Sequence, residues 1–163
     1  MHEVKDNKGV YMSVTWILVA QGSCAKVLQV LRNGKEVSLI KEFAHEKTAA
    51  KGIDINTDKH GRSFESSGPM RHAMDVSEDI KDHERRVFAK EMAEFLSKAI
   101  AENKLSSLIL VASPNLLGAL RKAMPQSTHK FIKHELGKDL MSQSLKDHEL
   151  VEKIRDDLDL ACF

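Results

Sequence analysis

Residues 59–72 form a segment rich in the residue types that bind phosphate groups. It reads Lys-His-Gly-Arg-Ser-Phe-Glu-Ser-Ser-Gly-Pro-Met-Arg-His, so basic side chains surround glycines and serines with accessible backbone amides. Backbone amides and arginine guanidinium groups are good ligands for phosphate. Arg62, Ser63, Arg71 and His72 are therefore candidate binding residues. An exposed loop without a ligand has much the same composition, and the pattern does not choose between the two.

A second group of basic residues follows at the predicted start of a helix. Lys81, His83, Arg85 and Arg86 alternate with two acidic residues. The acids suit the first turn of a helix, where they pair with the positive end of its dipole. His83 and Arg86 complete the set of candidate binding residues, and the pattern is compatible with either a ligand or water in front of them.

The sequence carries no pattern for metal-dependent or nucleophilic catalysis. Ribonuclease-H-type nucleases hold two metal ions with carboxylates on the first strand and its neighbours, and the apolar run at 14–20 contains no carboxylate. The eight histidines lack zinc-ligand spacing, and no Gly-x-Ser-x-Gly sequence is present. We therefore predict no metal and no cofactor, and we assign no catalytic residue.

Composition indicates a single domain without a strong overall electric field. The 163 residues include 25 Lys and Arg against 24 Asp and Glu, so any polyanion site must be local. Two cysteines are too few for a secreted disulfide framework, and the N-terminus lacks the apolar stretch of a signal peptide. The longest apolar run, 16–20, is far too short to cross a bilayer. These features predict a cytoplasmic protein and not a membrane protein.

Hydrophobic patterning predicts three strands followed by alternating helices and strands. The strands are expected at 14–20, 26–31 and 36–43, and Asn33-Gly34 supplies the positive φ angles of a tight hairpin. Residues 45–82 are a long polar loop without a regular period. A helix at 84–103, a strand at 108–112, a helix at 114–122, a strand at 128–136 and a helix that opens at Ser144 follow. Residues 1–12 are a flexible tail, and 13–163 are one domain.

This order of elements defines a three-layer α/β fold. Parallel strands require helical crossovers, so about five strands form one mixed sheet, an antiparallel meander followed by α-β-α-β-α, with helices on both faces. Right-handed crossovers place the strand at 14–20 between the hairpin and the strand at 108–112. The arrangement is ribonuclease-H-like. Trp16 lies inside an apolar strand and is predicted to be a core residue.

Several segments, taken in order, resemble the bacterial host attachment protein family. The resemblance spans residues 14–151 and implies a part in the attachment of bacteria to host cells, which is a phenotype and not a reaction. The segments are Trp-Ile-Leu-Val-Ala at 16–20, Gly-Arg-Ser-Phe-Glu at 61–65, Arg-His-Ala at 71–73, Lys-Asp-His-Glu at 81–84, Phe-Ala-Lys-Glu at 88–91, Leu-Ile-Leu-Val-Ala at 108–112, Leu-Gly-Ala-Leu-Arg at 117–121 and Glu-Leu-Gly-Lys-Asp-Leu at 135–140.

More remotely, the layout resembles the middle domain of archaeal and eukaryotic class-one peptide release factors and the related ribosome-rescue factors. In that family a meander also leads into a glycine-rich loop and a helix rich in Arg, Phe and Ala, which residues 60–62 and 87–89 match here. The resemblance implies tRNA or the ribosome as a partner. It does not extend to the release-factor glutamine, because no Gly-Gly-Gln occurs in this sequence.

Three functions are compatible with these observations. The leading interpretation is an RNA-, tRNA- or ribosome-binding domain that uses the segment 61–72. The second is a peptidyl-tRNA hydrolase or related esterase, which an assay of peptidyl-tRNA turnover separates from the first. The third is a factor that promotes attachment to host cells at the bacterial surface, which cell fractionation tests.

Overall fold

The computed structural model describes residues 4–5, 11–12, 14–22, 24–31, 34–44 and 70–161. Within these ranges, side chains are described between 14 and 44 and from residue 79 onward. Two short strands, β1 (Val4–Lys5) and β2 (Tyr11–Met12), pair antiparallel within the stretch for which the sequence predicts a tail. The other described elements build one sheet and the helices that cover it.

The first three strands of the main sheet form the predicted antiparallel meander. β3 (Thr15–Gln21) pairs with β4 (Cys24–Leu31), and β4 pairs with β5 (Glu36–Ala44). Gly22 turns the chain after β3 with a φ of 48°, a conformation that glycine adopts without steric cost. The register of β5 skips Ile40, which therefore lies in a β-bulge.

Two parallel strands complete the sheet. β6 (Ser107–Ala112) lies parallel to β3, and β7 (Ile132–Leu136) lies parallel to β6. The strand order is β5-β4-β3-β6-β7. The prediction that the first apolar strand lies between the hairpin and the strand near residue 110 is therefore confirmed, as is the mixed five-stranded sheet.

Helices cover both faces of the sheet. α1 (Met70–Ala101) and α2 (Pro114–Ala123) pack on one face, and α4 (Asp147–Asp157) packs on the other. α3 (Gln126–His129) is a single helical turn before β7. The predicted three-layer α/β fold is confirmed.

The central strand β3 contributes to both hydrophobic cores. Its side chains alternate, so Trp16 and Leu18 face α1 and α2, whereas Ile17 and Val19 face α4. Because both faces of such a strand are covered, its sequence is a nearly continuous apolar run. The first core is completed mainly by Phe88, Met92, Leu96, Leu116 and Leu120, and the second by Leu150, Val151 and Ile154.

Helix α1 begins much earlier than the sequence predicts. The predicted loop extends to residue 82 and the predicted helix begins at 84, whereas the structure is helical from Met70. Residues 70–82 contain no glycine or proline, so nothing in them breaks a helix. The first residue of α1 that is described as buried is Phe88. Hydrophobic periodicity misses these turns, because residues 79–87, the first of the helix whose side chains are described, contain no buried residue.

The predicted last strand is too long at its start. Residues 126–129 form α3, in which Thr128 is buried and its N–H donates to the Pro125 carbonyl at 2.9 Å. Proline with a φ of −59° is suited to begin such a turn. The strand therefore begins only at Ile132.

The C-terminal helix begins three residues later than predicted. Ser144 was expected to cap it with Asp147 as the capping partner. Instead the Glu149 carboxylate accepts a hydrogen bond from the Lys146 N–H at 2.9 Å, so the capping interaction lies two residues further on. Asp147 accepts a hydrogen bond from Lys26 Nζ at 3.2 Å, which ties α4 to β4.

An ion pair between α2 and β7 makes stability depend on pH. Arg121 Nε donates to both carboxylate oxygens of Glu135, at 3.0 and 2.9 Å, and this hydrogen bonding lowers the pKa of Glu135 below its ordinary value of 4.5. A lowered pKa in the folded state stabilises the fold above pH 4.5, and the contribution is lost as the pH falls through the folded-state pKa. Glu135→Gln is expected to reduce stability slightly at pH 7 and by less at pH 3, since part of the contribution is already lost below pH 4.5. Urea unfolding of both proteins at the two pH values checks this, and equal losses at both would contradict it.

Candidate functional site

The carboxyl ends of the central parallel strands lie side by side at one edge of the sheet. Ala20 in β3 pairs with Ala112 in β6, so Gly22 and Ser113, which follow these residues closely, lie at the same edge. β5 runs in the same direction as β3 and also ends there. In open α/β sheets, ligands bind outside the carboxyl ends of the strands.

α2 begins directly at this edge. Ser113 precedes the helix and Pro114 occupies its first position, as predicted, although the Ser113 side chain makes no capping hydrogen bond. The amide groups of a first helical turn have no partner within the helix, and they carry the positive end of its dipole. Leu116, Leu117 and Leu120 are buried and hold the helix against the sheet.

α1 passes the same edge and forms the second wall of the site. Phe88 and Ala89 are almost completely buried in the first core, which fixes the preceding turns of α1 beside α2. Lys81, Arg85 and Arg86 lie on these turns and line the space between the two helices.

Two adjoining clefts of about 250 and 300 Å³ occupy this space, and Arg85 and Asn115 line both. On α2, Asn115, Gly118 and Lys122 are spaced by three and four residues, which places them on one face of the helix. A Cβ atom added to Gly118 would have no atom within 4 Å, so glycine leaves the cleft open here. We call the two clefts together the basic groove, lined by Lys81, Arg85, Arg86, Asn115, Gly118 and Lys122.

Basic side chains outnumber acidic side chains around the basic groove. Arg85 forms an ion pair with Asp82, one turn earlier on α1, which fixes the orientation of the guanidinium group. A local excess of positive charge in a cleft attracts polyanions even when the whole protein is nearly neutral. The basic residues that line the groove are Lys81, Arg85, Arg86 and Lys122, and the acidic residues are Asp82 and Glu84.

The structure locates four of the six predicted site residues, two of them with their side chains and two by their backbone alone. Arg86 lines the basic groove, whereas His83 is exposed on α1 and is not among the groove-lining residues. Arg71 and His72, predicted to lie in a loop, belong to the first turn of α1, where only the backbone is described. Arg62 and Ser63 lie outside the described residues. The role of all six in binding stays a prediction.

Sequence reasoning did not select the residues that α2 contributes. Asn115, Gly118 and Lys122 share one helix face that begins directly after Pro114, and this spacing could have been read from the sequence. The position of α1 could not be predicted from the sequence. α1 lies beside α2 because both helices pack on the same face of the sheet.

Other kinds of site find little support in the part of the chain that the structure describes. No three His, Cys, Asp or Glu side chains described there converge as metal ligands would. Burial, and then the charge of Asp139, raise the pKa of the Cys24 thiol, which keeps it protonated and weakly nucleophilic. Of the described helices, none is both long and apolar enough to cross a membrane, since even the 32-residue α1 carries charges along its length.

Fold and site together define a three-layer α/β domain with a basic groove at the carboxyl edge of a mixed five-stranded sheet. The chain belongs to the family described as "Protein required for attachment to host cells", whose sequence profile matches residues 16–154. The sequence resemblance to that family is thereby confirmed. No curated protein compared with the chain gives a significant match.

Two solved structures align with the chain at very low identity. An archaeal translation termination factor, aRF1, aligns over 90% of this chain with a TM-score of 0.44 and 9% identity. A second structure, described only as an archaeal protein, aligns over 90% with a TM-score of 0.42 and 9% identity. The chain spans only 39% and 38% of the length of these two proteins.

Proposed function

We propose that this domain binds RNA inside the cell, with tRNA or ribosomal RNA as the partner, through the basic groove. The observation that carries the proposal is that cationic side chains of α1 and Lys122 of α2 line two adjoining clefts, which run from the start of α2 at the carboxyl edge of the sheet along the helix. Phosphate contacts by Lys and Arg supply the sequence-independent part of RNA affinity. With a net charge of only +1, the rest of the protein adds little to that affinity.

The position of the groove on α1 links it to the segment that the sequence singles out. Arg71 and His72 belong to the same helix as Lys81, and ten residues of α-helix span about 15 Å. The end of the predicted binding segment and the α1 residues of the basic groove therefore lie on one helix. This arrangement supports a continuous contact with an RNA backbone, as opposed to a pocket for a single phosphate.

The proposal predicts a loss of salt-dependent RNA affinity when groove charges are removed. Log affinity falls as log salt rises. Arg86→Ala combined with Lys122→Ala is expected to reduce the magnitude of this slope by about 1.5, because each lost phosphate contact removes roughly 0.7 to 0.9 from it. Fluorescence anisotropy with labelled tRNA, measured at several salt concentrations, checks this. The thermal melt should change little, since both side chains are exposed.

Matched variants distinguish the groove from a general effect of charge. Lys35→Ala combined with Lys133→Ala removes the same charge from exposed positions away from the groove and is expected to leave the slope nearly unchanged. Gly118→Glu introduces a carboxylate into the open cleft and should weaken binding, whereas Gly118→Ala should not. If both double variants lower the slope equally, the groove is not the binding site.

An assay of the purified protein with peptidyl-tRNA distinguishes binding from hydrolysis. Peptidyl-tRNA is expected to bind and to be recovered intact, because the sequence lacks the Gly-Gly-Gln of release factors. Release of the peptide by the purified protein would instead support the hydrolase interpretation.

A further inference from the structure

An apolar cavity of about 770 Å³ opens at the edge of the sheet opposite to the basic groove. Val14 and Trp16, at the start of β3, form its floor, and Phe95 and Ala99 of α1 line one side. Ile40 lines it from the bulge in β5 and is 39% exposed. Small-molecule sites usually have volumes of about 300 to 1,000 Å³ and predominantly apolar walls.

The Trp16 ring packs against an aromatic neighbour in the apolar cavity, and its indole N–H is already paired. The Trp16 ring is stacked with Phe95, with 6.0 Å between the ring centroids. Trp16 Nε1 donates a hydrogen bond to Gln29 Oε1 at 3.1 Å. The indole N–H is thus satisfied, and the Trp16 ring offers a ligand an apolar surface beside the Gln29 amide group, which also lines the cavity.

The rim of the apolar cavity carries an excess of positive charge. Lys104 Nζ lies 2.6 Å from Glu102 Oε2, and this hydrogen bond holds the pKa of Glu102 below its ordinary value, so that the two residues form a neutralised pair. Lys98 is exposed at the same rim, in the last turn of α1. The backbone carbonyls of Lys98 and Ala99 accept hydrogen bonds from backbone N–H groups, each at 3.0 Å, so the helix end does not need the Lys98 ammonium group.

We propose that the apolar cavity binds a small amphipathic carboxylic acid, whose alkyl or aryl body packs against Trp16 and Phe95 while its carboxylate pairs with Lys98. A ligand with a neutral head group lacks the ion pair, and a ligand with a cationic head group is repelled by Lys98. The apolar walls supply most of the affinity, and the exposed Lys98 ammonium group selects the charge of the head group. This inference does not depend on RNA binding.

Trp16 makes the test direct, because it is the only tryptophan in the chain and its ring forms the cavity floor. Decanoate, decanol and decyltrimethylammonium are titrated below their micellar concentrations while tryptophan emission is followed. Decanoate is expected to change the emission with saturation, decanol more weakly, and the cationic probe not at all. Equal responses to the three probes, a response that does not saturate, or no response to decanoate would each overturn the proposal.

Two conservative variants test the role of Lys98. Lys98→Gln is expected to weaken decanoate binding about tenfold and to leave decanol binding unchanged, because only the carboxylate contact is lost. Lys90→Gln, at an exposed position two turns earlier on α1, serves as the matched control and should bind decanoate like the unaltered protein. Both substitutions replace exposed side chains, so the fold is retained. Unchanged decanoate affinity in Lys98→Gln would overturn the assignment of the carboxylate to Lys98.

Discussion

Replacing Trp16 with alanine is expected to lower the free energy of unfolding by about 3–5 kcal/mol, the usual cost of truncating a buried aromatic side chain. Trp16 is 3% exposed and packs within the first hydrophobic core. The substitution also removes the stacking on Phe95 and leaves the Gln29 amide without its indole partner. Because the apolar cavity already lies next to this ring, alanine would enlarge an existing space that the core cannot refill.

Urea unfolding followed by circular dichroism measures this loss, since the variant has no tryptophan emission. Trp16→Phe is the matched control: it keeps an aromatic ring against Phe95 and should lose clearly less stability than Trp16→Ala. Unaltered stability in Trp16→Ala, together with lost decanoate binding, would show that the ring serves the ligand and not the core.

A double replacement of Arg62 and Arg71 by alanine is expected to weaken RNA binding for all RNA sequences alike. Phosphate contacts carry no base information, and the loss of two of them lowers the slope of log affinity against log salt by about 1.5. This expectation rests on the composition of the segment 59–72 in the sequence. A salt titration of tRNA affinity, repeated with an unrelated RNA of the same length, checks both parts of the prediction.

Thermal melts show whether these arginines act on the ligand or on the fold. The midpoint of the double variant is expected to match that of the unaltered protein, and a large decrease would mean that the arginines support the structure. Combining Arg62→Ala and Arg71→Ala with the groove pair Arg86→Ala and Lys122→Ala should lower the slope by about 3 if the sites contribute independently. An unchanged slope in the variant that carries only Arg62→Ala and Arg71→Ala would remove these two arginines from the site.

The two central strands could be predicted because both of their faces are covered. β3 and β6 are apolar at nearly every position, since α1, α2 and α4 bury both of their faces, and continuous apolar runs reveal such strands. The beginning of α1 could not be predicted in the same way. Between Met70 and Phe88 the helix has no described buried residue, so the periodicity on which the prediction relied is missing there.

The candidate site was predicted only in part, for a related reason. Arg86 could be selected from local composition, because basic residues cluster around it in the sequence. Lys122 lies 36 positions away in the sequence and shares the groove with Arg86 only because two helices pack side by side on one face of the sheet. Local patterns do not report which helices become neighbours, and the apolar cavity, which joins β3, β4, β5 and α1, was beyond sequence reasoning for the same reason.

The strand order has a consequence for the synthesis of the protein. Val14 and Ser106 are hydrogen-bonded although they lie 92 residues apart in the sequence, because β3 and β6 are neighbours. At roughly 5–20 residues per second, the ribosome completes β6 about 5–20 s after β3. During this interval the nascent chain contains the apolar strand β3 with one open edge, which exposes it to aggregation until the second half of the chain emerges.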